Sequence, residues 1–135
     1  METMLGCYAD DVVTMMPWGE PLYGLGPWRK LLAEAFERAD ILSLEVDTEE
    51  ILVLGDWAWE WHNEWSTRRL RASGEVRTNY IRGAQMFRRQ PNGDWKIARY
   101  IANVVPLDEN VDAHKERIRR QSHAISARRY EDRRQ

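Results

Sequence analysis

Cysteine is nearly absent from this sequence, and so are long apolar runs, an excess of charge of either sign and clustered histidine. The single cysteine, Cys7, leaves no internal disulfide to form. Nothing beside it in sequence would hold it as a thiolate, so it reads as a small core residue rather than a nucleophile. No apolar stretch is long enough for a signal peptide or a spanning helix, so the expected location is cytoplasmic, with no membrane partner. The formal net charge of −2 exerts no general pull on polyanions. The basic runs Arg68-Arg69-Leu70-Arg71 and Arg117–Arg120 lack an aromatic platform and have acidic residues interleaved around them, so no nucleic-acid partner is expected. His114 and His123 fall in a charged tail and are expected in solvent. A metal held by Glu60, His62 and Glu64 is the weaker reading of that trio, because no second histidine or cysteine is placed to complete a usual set. Neither metal nor other cofactor is expected.

What the chain does have is tryptophan, most densely in Gly55–Thr67, GDWAWEWHNEWST. Alternation along a strand sends Trp57, Trp59, Trp61, Asn63 and Trp65 to one face and Ala58, Glu60, His62, Glu64 and Ser66 to the other. Which face is buried cannot be read from this strand alone. The length of 135 residues is that of one domain with a real core.

In chain order, the first ten residues tolerate a helix, and Asp11–Met16 is a β-branched run stopped by Pro17-Trp18-Gly19. Gly26-Pro27 starts a helix whose apolar stripe is Leu25, Trp28, Leu31, Leu32, Ala35, Phe36 and Ala39. Leu44–Leu54 reads as a strand that changes face near Asp47–Glu50 through a bulge. After the tryptophan strand come Val76–Arg89 and Trp95–Val104, joined by Gln90-Pro91-Asn92-Gly93-Asp94, where Asn-Gly is a hairpin signal. The order of elements predicts an α+β fold with helices on one face of a curved antiparallel sheet. Beyond Pro106 the composition turns charged and Arg-rich. The expected division is therefore a compact domain over 1–105 and a helical extension over 106–135.

Tyr8-Ala9-Asp10-Asp11, Pro17-Trp18-Gly19, Gly24, Gly55-Asp56-Trp57-Ala58 and the run from Arg88 to Arg99 resemble the nuclear transport factor 2-like superfamily. The similarity is to its SnoaL-like and ketosteroid-isomerase-like branch and spans Tyr8 to Asn103. It implies a cone-shaped, strongly curved antiparallel sheet wrapped around helices, with a ligand cavity between them. It fixes no reaction. The family pattern turns Ala58 into the cone, and by alternation Glu60, His62, Glu64 and Ser66 with it. Ile81, Gly83, Gln85 and Phe87, then Ala98, Tyr100 and Ala102, follow inward on the next strands. The tryptophans then face outward, which implies a covered outer face and a homodimer joined through it.

The same resemblance argues against steroid isomerisation. Where those isomerases place a carboxylate base this chain has Met16, where they place an oxyanion-stabilising acid it has Gly83, and their tyrosine lies on a helix that would precede Met1. The polar set left for the cavity is Glu60, His62, Glu64, Gln85 and Tyr100. A carboxylate beside an imidazole fixes its tautomer, so His62 and Glu60 are the candidate catalytic pair. Tyr100, Gln85, Glu64, Trp18, Phe87 and Trp28 are the candidate substrate-binding residues. The expected function is binding of a small, mostly apolar molecule with cofactor-free acid–base chemistry of isomerase, cyclase, dehydratase or hydrolase type. A non-catalytic binding or dimerisation module is the alternative.

The tail reads as a helix over 108–135, with Asp108 as N-cap, a thin stripe of Val111, Ile118 and Ile125, and Arg128, Arg129, Arg133 and Arg134 towards its end. It is expected to pack over the opening of the cone, its own or a partner's.

Overall fold

The computed structural model describes residues 1–132, with side chains as far as His123. Its elements are α1 (Glu2–Leu5), β1 (Tyr8–Met15), β2 (Leu22–Tyr23), α2 (Leu25–Arg38), β3 (Ala39–Leu54), β4 (Trp57–Leu70), β5 (Val76–Arg89), β6 (Trp95–Pro106) and α3 (Val111–Asp132). The strands form one sheet in the order β2-β1-β6-β5-β4-β3. All neighbours are antiparallel except β1 and β6, which run parallel. The expected α+β arrangement is the one observed.

The long strands follow from their turns. Asn92 Oδ1 accepts the Asp94 amide proton at 3.0 Å, and Gly93 adopts φ +90°, so the β5–β6 connection closes on the Asn-Gly pair. β3 shifts register between Thr48 and Glu50, where the change of face was expected. It also begins at Ala39 rather than Leu44, because α2 ends without a loop: Ala39 is already extended and pairs with Leu70. β1 likewise begins at Tyr8 rather than Asp11, since Ile97 donates its amide proton to the Cys7 carbonyl at 2.8 Å and zips the two strands from there.

α2 lies against the concave face. Its Trp28 is 4% exposed, between the rings of Tyr8 (5.8 Å) and Tyr100 (6.1 Å). Ala58, Glu60, His62 and Ser66 of β4, Ile81 of β5 and Ala98 and Ala102 of β6 are buried on that side. The inward assignment of these residues therefore holds.

The opposite, convex face carries the tryptophans, and here the tail departs from expectation. As far as His123, the side chains of α3 do not line the cavity inside the cone. The helix lies on the convex side, over Trp65, which is 2% exposed. Trp65 Nε1 donates to His114 Nδ1 at 3.0 Å, and Tyr80 stacks on Trp65 while meeting His114 edge-on at 4.5 Å. Lys115 pairs with Glu45 at 2.6 Å, Arg119 with Asp47 at 2.7 Å, and Ser122 donates to Glu49, so β3 carboxylates fasten the helix between Lys115 and Ser122. Asn110, not Asp108, is the cap: its Oδ1 accepts the Ala113 amide proton at 3.0 Å. His114 is buried rather than solvated, whereas His123 is exposed. The expected contributions of Ile125, Arg128, Arg129, Arg133 and Arg134 lie outside the described side chains.

Candidate functional site

Strand pairing brings the inward residues of β4, β5 and β6 into rows. Glu60, Gln85 and Tyr100 share one row, His62, Gly83 and Ala102 the next, and Glu64, Ile81 and Val104 the third. Within them His62 Nδ1 lies 3.0 Å from both carboxylate oxygens of Glu60. A carboxylate accepts, so Nδ1 carries a proton. Gln85 Nε2 donates to Glu60 Oε2 at 2.9 Å and fixes the carboxylate from the other side. His62 Nε2 lies 3.9 Å from Glu64 Oε2, beyond hydrogen-bond length but within reach of an ion pair. The imidazole thus stands between two carboxylates, one at each nitrogen.

Gly83 makes this possible. A Cβ there would lie 2.3 Å from His62 Nε2 and 2.6 Å from Cε1, so the ring rests directly on the bare Cα. At the position where the resemblance places an acid, this chain has an imidazole lying across from the neighbouring strand.

The adjoining cavity has a volume of about 230 Å³. Of the expected site residues, Glu64, Tyr100 and Trp28 line it, while His62, Glu60 and Gln85 lie behind Glu64 in the sheet. Phe87 is not on its wall, and Trp18 is 54% exposed and likewise off it. Met16 is on the wall, where the isomerase base would have been. Tyr8, Ser66 and Arg68 also line it and are not among the candidates expected from sequence. Tyr8 falls in a segment read there as helix-tolerant, and Arg68 in a basic run weighed only as a nucleic-acid contact. Inward alternation continued from Ser66 was the available signal for Arg68.

The electrostatics divide the wall. Burial pushes the Glu64 carboxyl above the ordinary carboxylate range, opposed by His62 and then Arg68. Burial raises Tyr100 strongly, with Glu64, Tyr8 and Glu60 adding to it. Tyr8 is raised chiefly by burial. Both phenols therefore keep their protons at neutral pH and can donate. Among the described residues no three His, Cys, Asp or Glu side chains converge as a metal site. In the Glu60–His62–Glu64 trio the ring separates the two carboxylates instead of facing a common point with them. No described helix is long and apolar enough to cross a membrane.

No curated protein matches the chain. Among solved structures, a conserved protein from Planctomyces limnophilus is 25% identical with a TM-score of 0.72, over 78% of this chain and 81% of that one. A ketosteroid isomerase-like protein from Erwinia carotovora atroseptica is 22% identical with a TM-score of 0.71, over 77% and 80%. A type 2 hexachlorocyclohexane dehydrochlorinase is 11% identical with a TM-score of 0.62, over 81% and 76%. These likenesses establish the nuclear transport factor 2-like fold. The sequence profile of the SnoaL-like domain matches residues 1–100, and the chain belongs to that family.

Proposed function

We propose that the cavity binds a small, mostly apolar molecule and transfers a proton on it without a cofactor, with Glu64 as the group that meets the substrate. One observation carries this reading: Glu64 lies on the cavity wall with His62 Nε2 3.9 Å behind it, and the ring's other nitrogen is anchored by Glu60 and Gln85. The acid–base pair expected from sequence becomes a relay. Glu64 takes or gives the proton, while His62 and Glu60 position it and share its charge. Tyr8 and Tyr100, held protonated, supply hydrogen-bond donors for an oxygen that gains charge. At roughly 20–30 Å³ per heavy atom, the cavity suits a molecule of about eight to twelve heavy atoms. Isomerisation, cyclisation, dehydration and hydrolysis all fit such a relay. The neighbours' names span an isomerase-like protein and a dehydrochlorinase, so fold alone chooses none of them.

The test is exchange of carbon-bound hydrogen for deuterium in a panel of small enolisable carbonyl compounds, followed by proton NMR in heavy water. Wild-type protein should catalyse exchange on at least one member, and Glu64→Gln should slow it by roughly 10²–10⁴-fold. Exchange that survives Glu64→Gln would exclude Glu64 as the acting group. Binding with no exchange by any member would favour the second reading, a binding module whose polar network only shapes the cavity. That reading is supported by the burial of His62 and Glu60, each 5% exposed and off the cavity wall.

We also propose that the part of the convex face left free by α3 seats a second copy of the chain. Trp59, Trp61, Ala84 and Ile101, with Arg82 and Asn103, border a groove of about 360 Å³ there. Such an aromatic centre with a polar rim is the usual composition of an interface. Sedimentation at micromolar concentration should give a dimer.

A further inference from the structure

The cavity wall carries a cation that the proton relay does not use. Arg68 lies four residues beyond Glu64 on the same face of β4 and lines the same cavity. It is half-buried, and among the described residues it makes no ion pair or hydrogen bond. Several other arginines are matched, Arg71 with Asp40, Arg88 with Asp11, Arg117 with Glu109 and Arg119 with Asp47, and of those that are not, Arg69 and Arg82 lie off the cavity wall. The register partner of Arg68 on β5 is Arg77, and the acid beside that pair, Glu75, is held by Arg77 through paired contacts of 2.8 Å. Glu64 on the same wall acts on Arg68 only through space, so at the edge of a largely apolar chamber the guanidinium lacks the directly bonded anion that its geometry accepts.

We infer that the ligand of this cavity is a small carboxylic acid whose carboxylate docks on Arg68. Its apolar body lies against Trp28, Leu32, Phe36 and Ile81, and its reactive end reaches Glu64 and the phenols of Tyr8 and Tyr100. Four residues of strand separate Glu64 from Arg68, about 13 Å at Cα, which leaves room for a body of several carbons between the two groups. A monoanion suits the site better than a phosphoryl dianion, because Arg68 is the one cation among the described lining residues and a second charge would find no counterpart on this wall. This deepens the proposed function by naming the substrate class, and it is tested by binding rather than turnover, so either can fail alone.

The experiment is calorimetric titration near neutral pH with cinnamate, its uncharged counterparts cinnamamide and methyl cinnamate, and phenylphosphonate. Wild-type protein should bind cinnamate roughly tenfold to a hundredfold more tightly than either uncharged analogue, the range of a charge-assisted contact. Arg68→Met should remove that preference by weakening the acid alone, and Arg68→Lys should keep part of it. Glu64→Gln should still bind cinnamate, even if it abolishes deuterium exchange. Equal affinity for acid and amide, an acid preference that persists in Arg68→Met, tighter binding of phenylphosphonate, or no binding of cinnamate would each overturn the assignment. If Arg68→Met does not fold, the wild-type comparison of acid with amide and the Arg68→Lys titration decide it.

Discussion

His62 owes its place to a residue with no side chain. Its ring occupies the volume that any β-carbon at position 83 would claim, so Gly83→Ala must push the imidazole away from Glu60 or open the β4–β5 pairing. The expected cost is about 1–3 kcal/mol, as for overpacking of a close-packed interior, readable in urea unfolding, with loss of the Nδ1–H signal in proton NMR. An unchanged signal and unchanged stability would mean that the ring does not rest on Gly83. Glu64 allows a test by pH. Burial raises its folded-state value above the unfolded one, so its favourable contribution is complete below the ordinary 4.5 and is lost as pH rises through the folded value. Glu64→Gln, which cannot ionise, should therefore gain stability relative to wild type as pH climbs through that window. Thermal melts across acid to neutral pH would show a difference that grows with pH. A constant difference would remove burial as the cause.

Strands and turns were largely legible in the sequence because their signals are local. Asn92-Gly93 fixes one hairpin and Gly55-Asp56 another, and alternation between them places Glu60, His62 and Glu64 on a common face. What that alternation could not supply was depth. His62 and Glu60 share the inward face with Glu64, yet only Glu64 reaches the cavity, and that depends on how α2 fills the cone. Long-range partners were also invisible: Trp65 and His114 are 49 positions apart, and a histidine in an Arg-rich tail carries no sign that an indole N–H awaits it. That contact makes α3 sensitive to acid. His114 accepts through Nδ1 and cannot do so once that nitrogen is protonated. Burial lowers its folded-state value, with Glu109 opposing and Arg117 adding to the shift, while Lys115, Arg119 and Tyr80 also crowd the Trp65 side. A depressed value means that its contribution is full above the ordinary 6.5 and is lost as pH falls through the folded value. Hydrogen-exchange protection of Val111–Ser122 should drop between about pH 7.5 and about pH 5 in the wild type, and should stay flat in His114→Phe. Equal losses in both would assign the effect to the carboxylates of β3 instead.

The sheet gives the molecule two unlike sides, and the distinction yields a decisive truncation. The concave side holds α2, the cavity and the hydrogen-bonded Glu60–His62 pair beside Glu64, whereas the convex side holds Trp59, Trp61 and Trp65 of β4 and the described part of α3. Deleting Asp108–Gln135 removes the cover from Trp65 and Tyr80 without touching the lining of the cavity. Trp65 is the largest fully buried side chain, and exposing it alone costs about 2–3 kcal/mol. For a domain of this size the melting temperature should fall by roughly 5–10 °C. Cinnamate affinity should change by no more than about twofold, since none of the described α3 side chains lines the cavity. The uncovered indole would extend the convex groove bordered by Trp59 and Trp61, so the truncated protein should sediment as larger species than the full chain at the same concentration. A truncated chain that keeps its melting temperature would show that α3 contributes little on the convex face. One that loses cinnamate binding while still folded would place α3, or its counterpart from a second copy, at the mouth of the cone.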